Sequence, residues 1–402
     1  MRPFTSVISI TEARAKLAAG VRPVARTEMV PLAEAAGRVA SADLAATIFV
    51  PPFSRSAMDG YAVVADDTRG ASRERPARLR ILDRVFTGSV SSATVVPGAC
   101  AEIATGAPMP NGADAVVMVE ETSIVDHEHV AICAQATAGQ NIGRKGADIS
   151  PGDIVVRRGE LLNASRVGAV AAIGCGEVEV FAKPRVPILS TGNEVVSAGT
   201  PLSPGQIYDV NRFTLSAVCQ SHGCLPELHA PAKDTLDSLM RALDACHEAD
   251  IIIFSGGSSV GDRDLLIDLI ERRGELVFHG IAVKPGKPTM FALVDGRPFF
   301  GMPGNPTSCL SNAYILLVPF LRGTARLPLY APRVASARLG RRIASQANRH
   351  QFYTVKLEGD VALPAFKGSG DITSLSRADG YIEIPAGQNI VEEGALVDVV
   401  LF

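Results

Sequence analysis

The 402 residues of this chain allow about two to four domains, each with its own buried core. Hydrophobic residues make up 47% and charged residues 20%, which is typical of a globular protein and excludes a disordered one. The formal charge of −3 argues against a nucleic-acid partner. The longest apolar stretch, Tyr314 to Leu321, is too short to span a bilayer, and the N-terminus lacks a signal-like apolar core. We therefore expect a cytoplasmic protein with no membrane partner. Seven scattered cysteines without a CxxC pair predict neither a disulfide framework nor a structural zinc site.

The first part of the chain predicts helix and then a small β-module. Ser9 and Glu12 form a capping box before EARAKLAAG, with Gly20 at the expected helix end, and PLAEAAG predicts a second short helix. From about Leu44 the runs IFVPPF, RLRILDRV, ATVVP, ADAVVMVEET and HVAICA predict short strands separated by Gly and Pro. The later segment LNASRVGAVAAIG predicts a helix.

Beyond Lys183 strands and helices alternate. The apolar runs RVPILST, CLPELHAP and Asp250–Phe254 predict strands, and DLLIDLIERRG predicts a helix. Two further helices are expected, with Asn211 and Asp234 as their N-caps. Apolar strands between amphipathic helices indicate a parallel sheet covered on both faces. After Pro332, shorter runs such as YTVKLEG and ALVDVVLF predict a small terminal β-domain.

The run SGGSSVGDRD at 255–264 follows an apolar strand and precedes a predicted helix. Its glycines let the backbone approach a ligand, and N–H groups at a helix start favour a phosphate. Asp262 and Asp264 are out of place beside an anion unless a divalent metal lies between them. A plain glycine-rich turn with Asp264 as N-cap explains the same residues.

The run KPGKP at 284–288 predicts a type II turn, in which Lys284 and Lys287 can converge on one side. Opposite unit charges about 4 Å apart are worth roughly 4 kcal/mol at an effective dielectric of about 20, so two lysines could offset much of the dehydration cost of a dianion. A solvated turn is the alternative.

The run GMPGNPTS at 301–308 combines turn and helix-start signals. Pro303 and Gly304 suit a type II turn, Asn305 an N-cap and Pro306 the first helical position. The helix dipole with the Ser308 hydroxyl suits an oxyanion, although a well-capped helix without a ligand explains the run nearly as well.

Other short runs carry little chemistry by themselves. In SAMDGYA at 56–62, Asp59 and Gly60 are an ordinary turn signal, and TGAPMP at 105–110 adds a second turn. Six more blocks occur in order: NIGRKGADI at 141–149, STGNEV at 190–195, GQIYDVN at 205–211 and the three runs described above. Together the eight blocks resemble those of the molybdopterin molybdenumtransferases, the MoeA family, whose relatives include the E domains of plant and animal cofactor-synthesis proteins.

The resemblance implies a multidomain α/β and β fold. A helical/mixed N-terminal domain is expected from residues 1–45 and 141–182, and a β-rich domain from 46–140. A central α/β molybdopterin-binding domain with a parallel-type sheet is expected at 183–328, and a small β-domain at 329–402. The resemblance also implies a homodimer with a cleft between the β-rich domain of one subunit and the last two domains of the other.

The matching positions carry the family's functional residues. The resemblance implies catalytic roles for Asp59, Glu194, Asp234 and Asp264, of which the last three are also the expected magnesium ligands. The substrate-binding positions are Thr105, Asp148, Gly256, Gly257, Ser258, Pro303, Asn305 and Pro306. The molybdate-binding positions are Lys284, Lys287, Ser308, Arg349 and Ser369.

The implied activity is the last step of molybdenum cofactor biosynthesis, in which molybdate is inserted into adenylylated molybdopterin and AMP is released. Expected partners are an upstream adenylyltransferase and downstream molybdoenzyme-maturation proteins. Two positions depart from the pattern: Gly280 stands where some members have lysine, leaving His279 beside it, and Asn193 stands where aspartate is frequent. A non-catalytic scaffold or binding protein of the same fold is the alternative. A different pterin- or nucleotide-processing enzyme would leave SAMDGYA and TGAPMP unexplained.

Overall fold

The computed structural model describes residues 7–256, 265–345 and 348–402. The chain divides into two units, one made of Met1–Met29, Gly37–Val39 and Glu179–Phe402 and the other of Val30–Ala36 and Ala40–Val178. In the described part of the chain, no helix combines the length and apolarity that a membrane crossing needs. The four-domain division drawn from the sequence stays a prediction.

Short strands dominate the secondary structure. The helices are α1 (Ile10–Gly20), α2 (Ala164–Ala172), α3 (Asn211–Ser221), α4 (Leu236–Asp244), α5 (Leu265–Arg273), α6 (Pro306–Asn312), α7 (Val318–Thr324) and α8 (Thr373–Ser376), with a π-helical stretch at Ala313–Leu317 and 3-10 turns at Leu32–Glu34, Ala65–Thr68 and Val119–Glu121. The strands are β1 (Thr27–Pro31), β2 (Leu44–Ala45), β3 (Arg55–Ser56), β4 (Gly60–Val63), β5 (Ala77–Val85), β6 (Ala99–Ile103), β7 (Ala115–Met118), β8 (Thr122–Ile124), β9 (His129–Ile132), β10 (Ile142–Gly143), β11 (Ile154–Val156), β12 (Glu177–Phe181), β13 (Arg185–Ser190), β14 (Val195–Val196), β15 (Ile207–Tyr208), β16 (Leu225–Leu228), β17 (Ile252–Ser255), β18 (Gly274–His279), β19 (Val283–Lys284), β20 (Met290–Val294), β21 (Arg297–Met302), β22 (Val334–Leu339), β23 (Ile343–Ala344), β24 (His350–Glu358), β25 (Val361–Pro364), β26 (Gly380–Ile384), β27 (Ile390–Val391) and β28 (Leu396–Leu401).

The smaller unit is built on a six-stranded sheet of order β7-β4-β6-β5-β9-β8. Three of its strands fall in the predicted runs RLRILDRV, ADAVVMVEET and HVAICA. The predicted strand IFVPPF is wrong: only Val50 forms a bridge there, because the following prolines have no N–H to give a ladder. ATVVP is also not a strand, since the Val95 N–H bonds the carbonyl of Asn111 in a loop. The predicted helix α2 is present, with Asn163 accepting from the Arg166 N–H at 3.0 Å.

In the larger unit, helix α1 packs against the central sheet and contributes to its apolar core. Ser9 accepts from the Glu12 N–H at 3.1 Å, as the capping box predicts, and the helix ends at Gly20. Its buried residues Ile10 and Leu17 belong to the same apolar cluster as strand residues of the sheet. The second predicted helix, PLAEAAG, is wrong as an α-helix. The segment forms only a single 3-10 turn at Leu32–Glu34, because a segment this short gains too few hydrogen bonds to offset the cost of starting a helix.

The central sheet has the order β16-β13-β17-β21-β20-β18. Strands β16, β13, β17 and β21 run parallel. β20 pairs antiparallel with β21, and β18 pairs antiparallel with β20 and therefore runs in the same direction as the first four. The parallel arrangement therefore holds for only part of the sheet, because a two-residue turn links β20 to β21 and reverses the chain. One apolar cluster covers the face packed by α1 and α3, and a second covers the face packed by α4 and α5.

Both predicted N-caps of this region are wrong by one residue, since the N-caps are Val210 and Thr235. Helix α3 begins at Asn211 itself, and the Asp209 carboxylate accepts from the Arg212 N–H at 3.1 Å. Helix α4 has Thr235 as its N-cap, because the carboxylate of Asp234 accepts instead from the Thr191 hydroxyl.

Strands after residue 333 close into a ring. β24 pairs with β25, β25 with β22, β22 with β28, β28 with β26, and β26 with β24. Closure leaves these five strands without the open edges that a flat sheet would expose. β19 of the central region pairs parallel to β24, so Lys284 lies opposite Gln351.

Candidate active site

A cleft of about 1030 Å³ opens at the carboxyl ends of β13, β17 and β21, where open α/β sheets bind ligands. It lies wholly in the larger unit. Eight residues predicted from the sequence line it: Glu194, Asp234, Gly256, Lys287, Pro303, Asn305, Pro306 and Ser308. The fold therefore brings carboxylates, a lysine and a helix start to one concavity.

Two glycine loops face each other across the floor of the cleft. A Cβ on Gly304 would lie 3.5 Å from the Cα of Gly256, so the two backbones pass in close contact. Gly256 has φ +95°, and a Cβ there would lie 2.5 Å from the Thr191 carbonyl oxygen. Gly304 lacks the positive φ of a type II turn, so the predicted turn at Pro303 and Gly304 is wrong, and a Cβ at this position would make only an ordinary contact with Gly256.

Asn211 joins these two loops. Its buried amide nitrogen donates to the Ser255 hydroxyl and to the Gly304 carbonyl, each at 2.8 Å. Carbonyl acceptors fix the orientation of the amide, because only its nitrogen can donate. Substitution of Asn211 would therefore release both loops.

The two described carboxylates predicted to bind magnesium are oriented by one short segment. The Thr191 hydroxyl donates to Asp234 Oδ1 at 2.6 Å, and the Asp234 N–H donates to Asn193 Oδ1 at 3.4 Å. A Cβ on Gly192 would lie 2.8 Å from Glu194 Oε2, so the glycine makes room for that carboxylate. Both acidic side chains are exposed to the cleft.

Hydrogen bonds from neighbouring segments hold the lysine loop, residues 284–288, in place. The Ile281 N–H donates to the Lys287 carbonyl at 2.9 Å, and the buried Asn312 amide donates to the Gly286 carbonyl at 2.8 Å. Gly286 has φ +99°, as the third position of the predicted turn requires, and the peptide bond before Pro285 is cis. Lys287 lines the cleft and is half-buried.

Lys284 is not among the described residues that line the cleft. It lies in β19, which pairs with the start of β24, and Arg349 directly precedes that strand. The pairing places two predicted molybdate-binding cations on neighbouring chain segments. His279 is buried, and burial lowers the pKa of its imidazole, so it adds no positive charge at neutral pH in place of the missing lysine.

Ser369 is held against the start of α6. The Asn305 amide donates to the Ser369 hydroxyl at 3.3 Å, and the Thr307 N–H donates to the Ser369 carbonyl at 3.1 Å. Asn305 occupies the N-cap position and Pro306 is the first helical residue, both as predicted, although the Asn305 side chain makes no capping bond. Ser308, buried one turn further on, lines the same cleft.

The polar groups that line the cleft are mainly charged side chains and hydroxyls. Burial raises the pKa of the Cys309 thiol to about 12, so it carries no thiolate at neutral pH. Asp209 and Arg212 form a buried ion pair at 3.4 Å beside the cleft, and the arginine also donates to the His229 carbonyl. These residues fit positioning and electrostatic stabilisation better than attack by a protein nucleophile.

The smaller unit holds the three remaining described site residues. The Thr105 N–H and hydroxyl donate to the same oxygen of Asp59 at 2.6 and 2.9 Å. These bonds, the backbone one first, lower the pKa of Asp59. Asp148 is exposed, and its N–H bonds the Val50 carbonyl at 3.0 Å. Gly60 directly after Asp59 begins β4 and is no simple turn residue, because any Cβ would collide with the Val117 backbone.

Gly257, Ser258 and Asp264, with Asp262 beside them, lie outside the described residues. The described part of the chain holds no group of three or more His, Cys, Asp or Glu side chains arranged for a metal ion. Glu194 and Asp234 supply only hard oxygen donors to the cleft, and these fit Mg²⁺ chemically.

Four residues that the sequence did not single out for the site complete it: Thr191, Gly192, Asp209 and Asn211. All four line the cleft and fall in the blocks STGNEV and GQIYDVN. An aspartate three residues before an arginine was the available signal for the buried ion pair.

Comparison with known proteins identifies the relatives of this arrangement. The chain matches "MoeA N-terminal region (domain I and II)" over residues 8–174, "Probable molybdopterin binding domain" over 187–323 and "MoeA C-terminal region (domain IV)" over 336–402. It is 36% identical over 377 residues to molybdopterin molybdenumtransferase 2 of Mycobacterium tuberculosis, covering 91% of this chain and 92% of the relative. The chain belongs to the MoeA family.

Further relatives of this MoeA-family chain extend over its whole length. The molybdopterin molybdenumtransferase of Haemophilus influenzae is 30% identical and covers 98% of each chain. The crystal structure of a molybdopterin biosynthesis MoeA protein from Pyrococcus horikoshii aligns with a TM-score of 0.85 at 39% identity, covering 98% of this chain and 99% of the other. The family is therefore one of multidomain transferases rich in sheet.

The MoeA matches divide the cleft between two regions. Most of its lining falls within residues 187–323, whereas Gly370 and Ile372 come from the C-terminal region. The hydrogen bonds of Asn305 and Thr307 to Ser369 hold these regions together at the cleft.

Proposed function

We propose that this chain is a molybdopterin molybdenumtransferase, which inserts molybdate into adenylylated molybdopterin and releases AMP. The observation that supports it most is the meeting of Lys287 and Ser308 with Asp234 and Glu194 in one cleft. A cationic side and an acidic side suit a substrate pair made of an oxyanion and an adenylate phosphate.

In this proposal the cationic side binds molybdate. Lys284, Lys287 and Arg349 attract the dianion, and the hydroxyls of Ser308 and Ser369 donate to its oxygens. Ser369 is supported in this role by its bond from Asn305 at 3.3 Å, which orients its hydroxyl next to the α6 start.

The acidic side faces the adenylate. Asp234, Glu194 and Asp264 would hold Mg²⁺, which when bound neutralises phosphate charge. Gly256, Gly257 and the other glycine-loop residues, with Ser258, Pro303, Asn305 and Pro306, would accommodate the phosphate and pterin through close backbone approach.

The protein's own contribution is placement and charge. Water attacks the adenylate phosphorus and the bond to the pterin phosphate oxygen breaks, so AMP departs. The two dithiolene sulfurs replace molybdate oxygens on molybdenum, and the displaced oxygens take up the thiol protons and leave as water. The residues of the cleft hold both substrates in reach and stabilise the negative charge that builds up.

The same proposal extends to the quaternary arrangement. The chain acts as a cytoplasmic homodimer, in which Asp59, Thr105 and Asp148 of one subunit serve the cleft of the other. An adenylyltransferase supplies the substrate, and maturation proteins of molybdoenzymes receive the product.

AMP formation tests the proposal. Purified protein is incubated with adenylylated molybdopterin and Mg²⁺, with and without molybdate, and AMP is separated by chromatography. We expect AMP release that depends on molybdate and is lost in Asp264→Ala, and a fall on the order of 10²-fold in Lys287→Ala because a preorganised charge is removed.

Lys356→Ala is the matched control, since that lysine is exposed and paired with Glu358 outside the cleft. It should keep the wild-type rate. Substrate binding without AMP release would instead favour the non-catalytic binding protein, and wild-type turnover by Asp264→Ala would refute the catalytic assignment.

A further inference from the structure

Asp234 lies at the cleft with one of its two carboxylate oxygens already engaged. The Thr191 hydroxyl donates to Oδ1 at 2.6 Å, within the range of about 2.5–2.7 Å that is typical of a hydroxyl bonded to a carboxylate. Among the described residues, Oδ2 has no hydrogen-bond or ion-pair partner, and the side chain is exposed. Thr191 thus fixes one oxygen, and none of the described residues occupies the other.

Thr191 itself cannot move readily. It is 4% exposed and directly follows β13, where its N–H donates to the Ser255 carbonyl at 3.0 Å. Gly256 passes so close to its carbonyl that even a Cβ has no room there. A β-branched side chain on a fixed backbone has few rotamers, so the hydroxyl has a defined position.

The next residues extend this arrangement. Asn193 accepts from the Asp234 N–H, which holds the backbone of that residue, and Gly192 leaves the space into which the Glu194 carboxylate folds. Both predicted magnesium carboxylates that the structure describes are therefore oriented by the segment that begins at Thr191.

We propose that Thr191 is a positioning residue, which fixes the Asp234 carboxylate so that its second oxygen can bind the divalent cation. This rests on the proposed function only in taking Asp234 as a metal ligand. Residues that hydrogen-bond to metal ligands typically change metal affinity about 10–100-fold when the bond is removed, because the free ligand must be ordered on binding.

Two substitutions separate the hydroxyl from the shape of the side chain. Thr191→Val keeps the β-branched shape and burial but has no donor, whereas Thr191→Ser keeps the donor. Since Asp234 is exposed, loss of the bond leaves its carboxylate in contact with water, and the fold should persist in both variants. Far-UV circular dichroism and thermal unfolding verify this before binding is measured.

Binding of Mn²⁺ to the full-length protein, followed by electron paramagnetic resonance, is the readout that does not depend on turnover. We expect Thr191→Val to raise the Kd for Mn²⁺ about 10-fold or more, and Thr191→Ser to stay within about threefold of wild type. Asp234→Asn should weaken binding at least as much as Thr191→Val.

The double variant tests whether Thr191 acts through Asp234. In the Asp234→Asn background, Thr191→Val should cause no further loss, whereas independent effects would multiply. A full additional loss in the double variant would refute the proposal.

The remaining outcomes show whether the role of Thr191 or the role of Asp234 as a metal ligand is wrong. If Asp234→Asn weakens Mn²⁺ binding but Thr191→Val does not, the role of Thr191 is wrong and the proposed function is untouched. If Mn²⁺ binds Asp234→Asn as it binds wild type, or does not bind wild type, Asp234 is not a ligand and the inference falls, while molybdate-dependent AMP release is judged by its own assay.

Discussion

Substitution of Gly256 by alanine probes the closest backbone contact in the cleft. Gly256 has φ +95°, a conformation that costs an L-residue roughly 1–2 kcal/mol. The added Cβ would also lie 2.5 Å from the Thr191 carbonyl oxygen, closer than side-chain carbons come to backbone oxygens. Both costs act together, since the backbone of Thr191 is tied to Ser255 and cannot retreat.

The expected destabilisation is at least about 2 kcal/mol, because the conformational term alone contributes half or more of that amount. A shift of the loop would relieve part of the strain but displace Thr191 and the Asp234 carboxylate bonded to it. A displacement of about 1 Å near reacting groups can lower kcat by about 10²-fold. Gly256→Ala should therefore lose both stability and AMP release.

Gly304→Ala is the matched control for stability. Gly304 has no positive φ, and its nearest neighbour would be the Gly256 Cα at an ordinary contact distance of 3.5 Å. Its free energy of unfolding should change by less than about 1 kcal/mol. Because the chain has no tryptophan, urea unfolding is followed by far-UV circular dichroism. Equal midpoints for Gly256→Ala and wild type would show that neither the positive φ nor the Thr191 carbonyl excludes a side chain at this position.

Three further outcomes are expected. Replacing Lys284 and Lys287 together by alanine should weaken molybdate binding, measured by titration calorimetry, by more than the product of the single effects; unchanged affinity would refute the paired-cation argument. Cys309→Ala should keep AMP release within about tenfold of wild type, because a thiol with its pKa raised to about 12 is no nucleophile at neutral pH; complete loss with an intact fold would contradict this. The hydrogen bond from His350 lowers the pKa of Glu383, so this carboxylate contributes stability above its unfolded pKa that is lost as pH falls through the lower folded value. In His350→Phe, which keeps an aromatic ring but has no donor, the free energy of unfolding should thus fall less between about pH 6 and pH 3 than in wild type, and an unchanged pH dependence would exclude the effect.

Local signals in the sequence predicted most helices and strands. They did not predict which distant residues the side chains at the ends of these elements contact. Apolar runs such as RVPILST and the capping box at Ser9 depend on neighbours in sequence, and those predictions are confirmed. Asn211 and Asp234 also carry local cap signals. Their side chains instead bond Ser255, Gly304 and Thr191, which are distant in sequence, so a local rule could not find these roles.

The candidate site follows a similar division. Glycine and lysine motifs led to Gly256, Lys287 and Ser308, which line one cleft as a parallel sheet edge predicts. The type II turn at Gly304 is wrong because this glycine has no positive φ; it lies instead at a van der Waals contact with the loop of Gly256. Such a contact depends on two loops about fifty residues apart, and neither loop shows it alone.

Transfer of molybdenum coupled to AMP release is the central claim, and one single-turnover mixture tests it most directly. Enzyme in excess over adenylylated molybdopterin is given molybdate, and AMP and pterin-bound molybdenum are quantified in the same quenched samples. AMP and pterin-bound molybdenum are expected to appear together and in equal amounts. AMP formed at the same rate without molybdate, or molybdenum bound to the pterin without AMP, would contradict it.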